Sequence, residues 1–281
     1  MTTDVMACLD GSEHSQAVCQ YGSWATGQLQ APLTLLHVLE HHHGLHGGDF
    51  SGAIGLGAQE ALIEEMARLD EARSKLAMEQ GRQMLEGAKA SLAGVGLGDI
   101  QVRQRHGELV ASLKELEDQT RLWVMGRSGA GAQGDLGLHV ERAARGLSKP
   151  LLLVPGAFKT PQSVLIAFDG SPTTRKALEL VAKSPLFKGL PCHVVMVGDN
   201  SEDQQVQLKW ALSQLNLEGH QAQGTIIAGE VEKVLTQYQQ QQEIDLMVMG
   251  AYGHSRIRQW LLGSTTNAML RASNVPILLM R

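Results

Sequence analysis

Concentrated positive charge is what this chain most conspicuously lacks. Its 281 residues hold 24 Lys and Arg against 29 Asp and Glu, a net charge of −5, and no stretch gathers the bases into a patch. A phosphate backbone or an anionic bilayer needs such a patch, so neither nucleic acid nor a membrane surface is expected as a partner. Cysteine is scarce too. Cys8, Cys19 and Cys192 show no CxxC spacing and no even-numbered framework. That excludes a disulfide scaffold and points to reduced thiols in a reducing compartment. Long apolar runs are missing: the hydrophobic stretches, such as 151–154, are strand-length and far too short to cross a bilayer. The first residues show no basic segment, long apolar stretch or cleavage site before the chain enters Val5-Met6-Ala7-Cys8-Leu9, so the expected location is the cytoplasm. Trp24, Trp123, Trp210 and Trp260 are scattered, as core or interface residues are, rather than grouped as a platform for stacking bases.

What is present is core-forming material, 43% hydrophobic against 19% charged, in a chain long enough for one large domain or two ordinary ones. It is also written twice. Val5-Met6-Ala7-Cys8-Leu9-Asp10-Gly11-Ser12 returns as Val164-Leu165-Ile166-Ala167-Phe168-Asp169-Gly170-Ser171. His106-Gly107-Glu108 returns as Ala228-Gly229-Glu230, Leu122–Gly126 as Leu246–Gly250, and Lys149-Pro150-Leu151 as Val275-Pro276-Ile277. Four matches in one order argue for a tandem repeat, with domains over 1–155 and 163–281 and a linker near 156–162. Each copy alternates short apolar runs with amphipathic stretches, the pattern of βα units around a mainly parallel sheet. The expected fold class is therefore α/β, as two tandem doubly wound domains of five strands each. In the second copy, strands are expected near 163–168, 191–197, 223–228, 245–249 and 276–280, and helices near 173–184, 202–216, 230–241 and 263–273. The first copy carries in addition a His- and Gly-rich loop and a helical insertion near 58–92. Leu62, Met66, Leu69, Leu76, Met84 and Leu85 are spaced there for a core-facing or dimer-facing helix. The two copies are expected to pair as an internal pseudo-dimer through the last strands, Leu151–Val154 and Ile277–Met280.

In open parallel sheets, ligands collect beyond the carboxyl ends of the strands. In the second copy Asp169-Gly170-Ser171, Val197-Gly198-Asp199 and a glycine-rich loop converge there. The loop reads Gly250-Ala251-Tyr252-Gly253, nine residues, then Gly263-Ser264-Thr265. Glycines after a buried strand let backbone approach a ligand with no Cβ in the way. The free N–H groups where a helix opens at Gly263-Ser264, backed by the helix dipole, favour an anion. Ser264 and Thr265 add hydroxyls; His254, Arg256 and Arg258 add local positive charge. The spacing is neither the GxxxxGK[ST] nor the GxGxxG fingerprint. In the first copy Gly126-Arg127-Ser128-Gly129 survives, but Gly137 follows after only seven residues, Leu138 replaces the serine, and Asp135 adds negative charge. His37, His41, His42, His43 and His46 with Asp49 form a second candidate for metal. They lack a Cys partner and the run lies in a glycine-rich loop, so loop polarity is the favoured reading and no metal ligand is assigned.

A strand ending in Asp, then G-x2-G-x9-G-S, a helix and a Pro-led last strand resembles the universal stress protein family, over essentially the whole chain, as a tandem member of the ATP-binding type. The resemblance implies a Rossmann-like, adenine nucleotide alpha hydrolase-like fold with ATP or ADP at the strand ends of the second domain, a divalent cation, usually magnesium, accompanying the phosphates. It implies that Ala167 and Val197 flank the adenine and that Asp169 faces base or ribose. Met249, Gly250, Gly253, Gly263, Ser264 and Thr265 would hold the phosphates. No catalytic residue is assigned. Nucleotide binding as a switch is the leading reading, slow ATP hydrolysis the second, and a nucleotide-independent scaffold built on the first domain the third; pairing of whole chains is left open.

Overall fold

The computed structural model describes residues 3–40, 56–128, 138–250 and 264–281. Ten strands form one continuous sheet in the order β3-β2-β1-β4-β5-β10-β9-β6-β7-β8. The first half supplies β1 (Asp4–Cys8), β2 (Leu33–Leu39), β3 (Ile100–His106), β4 (Thr120–Gly126) and β5 (Leu151–Val154). The second half supplies β6 (Val164–Ala167), β7 (Cys192–Val197), β8 (Ala222–Ile227), β9 (Leu246–Gly250) and β10 (Ile277–Met280). Within each half all pairings are parallel. The strand order reverses between β1 and β4, and again between β6 and β9, the two switch points of the sheet. Every strand and helix expected in the second copy is found to within one residue at each end.

Helices cover both faces. On one side α1 (Ser15–Leu29), α2 (Leu56–Ser91), α5 (Pro172–Lys183) and α6 (Glu202–Leu217) close a core that includes Ala17, Leu85, Leu178 and Leu215. On the other, α3 (Leu109–Glu115), α4 (Leu138–Gly146), α7 (Val231–Gln241) and α8 (Ser264–Ala272) close a core that includes Leu113, Ala143, Leu235 and Met269. Coverage on both faces is why β5, β9 and β10 read as unbroken apolar runs rather than alternating ones. Local chemistry starts the helices. Ser171 caps α5 by accepting from the Thr174 N–H, with Pro172 opening the first turn, and Ser201 with Gln204 forms a reciprocal capping box on α6.

The halves join where β5 and β10 run antiparallel, Leu153 opposite Ile277, Leu152 opposite Leu278 and Leu151 opposite Leu279. Two arginines cross this seam to the ends of helices of the other half: Arg127 donates to the Ser273 carbonyl after α8, and Arg281 to the Arg145 carbonyl in the last turn of α4 and the Leu147 carbonyl just after it. Both place a cation at the negative end of a helix. The linker is itself packed. Phe158 meets Tyr21 edge-on at 4.7 Å, the Lys159 N–H donates to the Tyr21 hydroxyl, and the Lys159 ammonium lies 2.6 Å from the buried Asp245 carboxylate.

The sequence reading of an insertion over 58–92 changes in kind. Among the described residues no element is added; α2 occupies the place of α6, lengthened to 36 residues against 16. Its end packs as expected, with Leu85 buried and Met84 against the same core. Leu69 and Leu76 do not face a core: they are 51% and 60% exposed. The Leu62 side chain lies outside the described residues. Trp123 is fully buried, and Trp24 and Trp210 pack against the first core; Trp260 lies outside the described residues.

Candidate functional site

β6, β7 and β9 end side by side at the second switch point. Their pairing sets Ala167 level with Val195 and carries Asp169 just beyond the ladder, while Val197 ends β7 opposite Ile227 of β8. Ala167 and Val197 are half-buried and pack against the core on the α7 and α8 side, so both small apolar side chains lie on one rim of the sheet. Met249 is on the same side but buried in that core, which leaves only its backbone for a ligand. Gly250 ends β9, and a Cβ there would touch the Thr174 and Thr173 methyls at 3.4 and 3.6 Å. The Asp169 carboxylate accepts from the Ser171 N–H at 2.9 Å and the Thr174 hydroxyl at 2.6 Å. Asp169 thus holds the start of α5 while remaining at the exposed end of its strand.

α8 begins at Ser264, and its inner face is seated by buried Thr266, Met269 and Leu270. The side chains of Ser264 and Thr265, the glycines Gly253 and Gly263, and His254, Arg256 and Arg258 lie outside the described residues. So does the first-copy span holding Gly129, Asp135 and Gly137, and the loop with His41, His42, His43, His46 and Asp49. His37 is described: its Nδ1 is 2.7 Å from the Leu9 carbonyl, a bond between neighbouring strand ends. Among the described residues no three His, Cys, Asp or Glu side chains gather as a metal site.

Several contributors were not evident in the sequence. Gly170, at φ +74°, sits directly under Gln207 of α6, whose Oε1 would be 1.5 Å from an added Cβ; Gly198 is likewise covered by Gln204. Two glutamines therefore roof the turns after β6 and β7; a side chain at either glycine would have to displace one of them, and at Gly170 the positive φ disfavours one as well. Arg175 donates to the Gly170 carbonyl at 3.1 Å and lies over the Trp210 ring at 4.7 Å, bracing the Asp169-Gly170-Ser171 turn. The glycines stood in the sequence, but which side chain of α6 lies over each of them is set by how the helix packs, and no local spacing encodes that.

The equivalent place in the first half is built differently. Asp10 is retained and accepts from the Ser12 N–H at 2.9 Å. Cys8 stands where the second half has Ala167, and burial together with the Asp10 charge pushes its thiol up to about 12. His14 stands where the second half has Thr173. It is buried, its Cβ is 2.9 Å from where a Gly126 Cβ would be, and its Nε2 is 2.7 Å from the Ser128 hydroxyl. The imidazole thus covers the start of the first glycine turn. Arg127, the one base in that turn, is drawn across the seam to Ser273, and burial lowers its pKa. α4 starts at Leu138 as α8 starts at Ser264, so the two helix starts correspond, but leucine supplies no hydroxyl.

The profile of the universal stress protein family matches residues 1–155 and again 161–281. A universal stress protein of Synechocystis sp. is 33% identical over 285 residues, an alignment covering 99% of this chain and 99% of the relative. One from Mycobacterium tuberculosis is 25% identical over 305 residues, covering 99% and 96%. The crystal structure of a universal stress protein from Archaeoglobus fulgidus superimposes with a TM-score of 0.72 at 20% identity, covering 100% of this chain and 99% of that one. At that identity the likeness speaks for the fold.

Proposed function

The chain belongs to the universal stress protein family, and from that premise we propose that it binds one adenine nucleotide, ATP or ADP, in its second half and uses it as a conformational or regulatory switch. The observation that carries this reading is the contrast between two equivalent rims. In the second half, Ala167, Val197 and Gly250 leave the strand ends to small residues, and α8 opens at Ser264, where the N–H groups of a helix's first turn favour an anion. In the first half, His14 and Ser128 close on Gly126, and Cys8 replaces the alanine.

In this reading Ala167 and Val197 flank the adenine, Asp169 faces base or ribose, and Met249 and Gly250 offer backbone. Gly253, Gly263, Ser264 and Thr265 hold the phosphates, with magnesium as the phosphates' own partner. Binding is favoured over turnover because hydrolysis requires a base that positions water. Asp169, the carboxylate after β6, is occupied with the start of α5. A switch needs different nucleotide affinity in two conformations, and that difference is what the proposal requires of the second half.

The test is titration calorimetry with ATP and ADP, alongside the double variant Gly263→Ala/Ser264→Ala. Wild type should bind one nucleotide per chain, the double variant none, with its melting temperature without nucleotide unchanged. Wild-type stability should rise with ATP concentration as mass action requires. Retained affinity in the double variant would reject the site. Release of ADP at many turnovers per hour would favour the hydrolase, and no ATP-dependent change in melting would favour the scaffold.

A further inference from the structure

The longest helix of the molecule is half unused by its own fold. From Gly81 onward α2 packs against the sheet, through Met84, Leu85 and Ala88. Over residues 64–80 every side chain is exposed except the half-buried Met66 and Ala77. At 1.5 Å per residue this arm projects about 25 Å. Its counterpart α6 has 16 residues and lacks the extension. A helix of that length standing in water is marginal without a packed face. The intrahelical pairs Arg68–Glu65, Lys75–Glu71 and Arg82–Glu79 are all largely exposed and contribute little each.

The arm nevertheless carries an apolar stripe. Leu69 and Leu76, 51% and 60% exposed, are seven residues apart, and Met66 precedes Leu69 by three. Leu62 continues the sevenfold spacing in the sequence, and Arg73 takes the position seven after Met66. Leu69 and Leu76 thus lie two turns apart on one face of the arm, with Met66 and Arg73 beside them. Charge is divided along the helix as well. Residues 64–71 carry four carboxylates against Arg68, whereas residues 73–89 carry Arg73, Lys75, Arg82 and Lys89 against Glu79 and Glu86. Two such helices laid parallel set acid on acid; laid antiparallel they set acid on base, and their dipoles also oppose favourably.

We infer that the projecting arm of α2 is a dimerisation helix, which packs antiparallel against α2 of a second copy of this chain. Leu69 of one copy then meets Leu76 of the other, with Asp70 level with Lys75 of the second copy. The stripe accounts for the lengthening of α2, which the nucleotide reading leaves without a role, and the two readings stand or fall separately.

Sedimentation equilibrium on the full chain tests this. Wild type should show about twice the 30.3 kDa chain mass at micromolar concentrations, shifting toward monomer as salt is raised. Leu69→Lys/Leu76→Lys should be monomeric with unchanged helicity by circular dichroism. Leu69→Gln/Leu76→Gln, which removes the stripe without adding charge, should be monomeric too. Orientation is read by mild oxidation: a mixture of Leu69→Cys and Leu76→Cys chains should cross-link efficiently, and Leu69→Cys chains alone should not. The native thiols stay silent because burial holds them protonated. A wild-type mass of 30.3 kDa throughout, or a dimer that persists in the glutamine variant, overturns the proposal; self-cross-linking of Leu69→Cys overturns the antiparallel arrangement.

Discussion

At the scale of single residues, burial sets the chemistry of the side chains that would otherwise react. The thiols of Cys8 and Cys192 are pushed up to about 12 and that of Cys19 to about 11, in each case first by loss of solvent. A thiolate is the nucleophilic form, so all three should resist iodoacetamide at pH 8 in the native protein and react promptly in urea. The sign of the linked stability follows. Below about pH 9 the thiols are protonated in both states; above it the unfolded chain releases protons that the folded one keeps. Stability should therefore fall as pH rises from about 9 toward 11 and 12. Urea midpoints measured across that window, with Cys8, Cys19 and Cys192 all changed to Ala as reference, would show whether the slope comes from these thiols. His193 behaves oppositely: burial lowers its pKa, so it adds a loss of stability on acidification below about pH 6.5.

Elements are held in register by contacts that join distant parts of the chain. The linker between β5 and β6 depends on Asp245, which is buried before β9, accepts from the Gln162 N–H at 3.0 Å and pairs with Lys159. Removing it takes away the charged acceptor of the part-buried Gln162 amide, a hydrogen bond that contributes about 1.5–3 kcal/mol. The ammonium of Lys159, by contrast, is exposed and screened. Asp245→Ala should thus lower the urea midpoint clearly and Lys159→Met hardly at all; equal losses would mean that the ion pair, not the amide, holds the linker. α2 shows the limit of periodicity at this scale. Its apolar spacing identified a helix with one preferred face, and the spacing is equally satisfied by a core or by a second chain.

For the whole molecule the decisive feature is the antiparallel seam between β5 and β10, which turns two five-stranded sheets into one of ten strands. Leu152 and Leu278 face each other there and are fully buried. Leu278→Ala should cost about 2–5 kcal/mol, and the chain should melt in a single transition in which both halves unfold together. Calorimetry of wild type and variant checks both points; two resolved transitions would show that the halves are energetically independent. Residues 161–281 alone would present β10 as a bare edge, with a row of unpaired N–H and C=O groups. That fragment should associate with itself, and a stable monomer would contradict the role given to the seam.

Duplication, the succession of strands and helices in the second copy and the glycine-rich loop after β9 are legible in the sequence because each is encoded locally: apolar runs, period-3.6 patterning, capping serines and turn glycines. The glycine loop of the first copy also reads as incomplete from spacing alone, with Leu138 in place of Ser264. Sequence was silent about His14 covering Gly126, Gln204 and Gln207 roofing Gly198 and Gly170, Arg127 crossing to Ser273, and Leu69 and Leu76 standing clear of the core. Each of these joins residues from different elements, and the choice of neighbour depends on how the sheets pack, not on any local preference. The sequence by itself determined that one fold is built twice and that the first glycine loop is incomplete. Tertiary structure alone decided what covers that turn and which helix face is left without a neighbour, because burial is a property of the packed molecule and not of any segment of the chain.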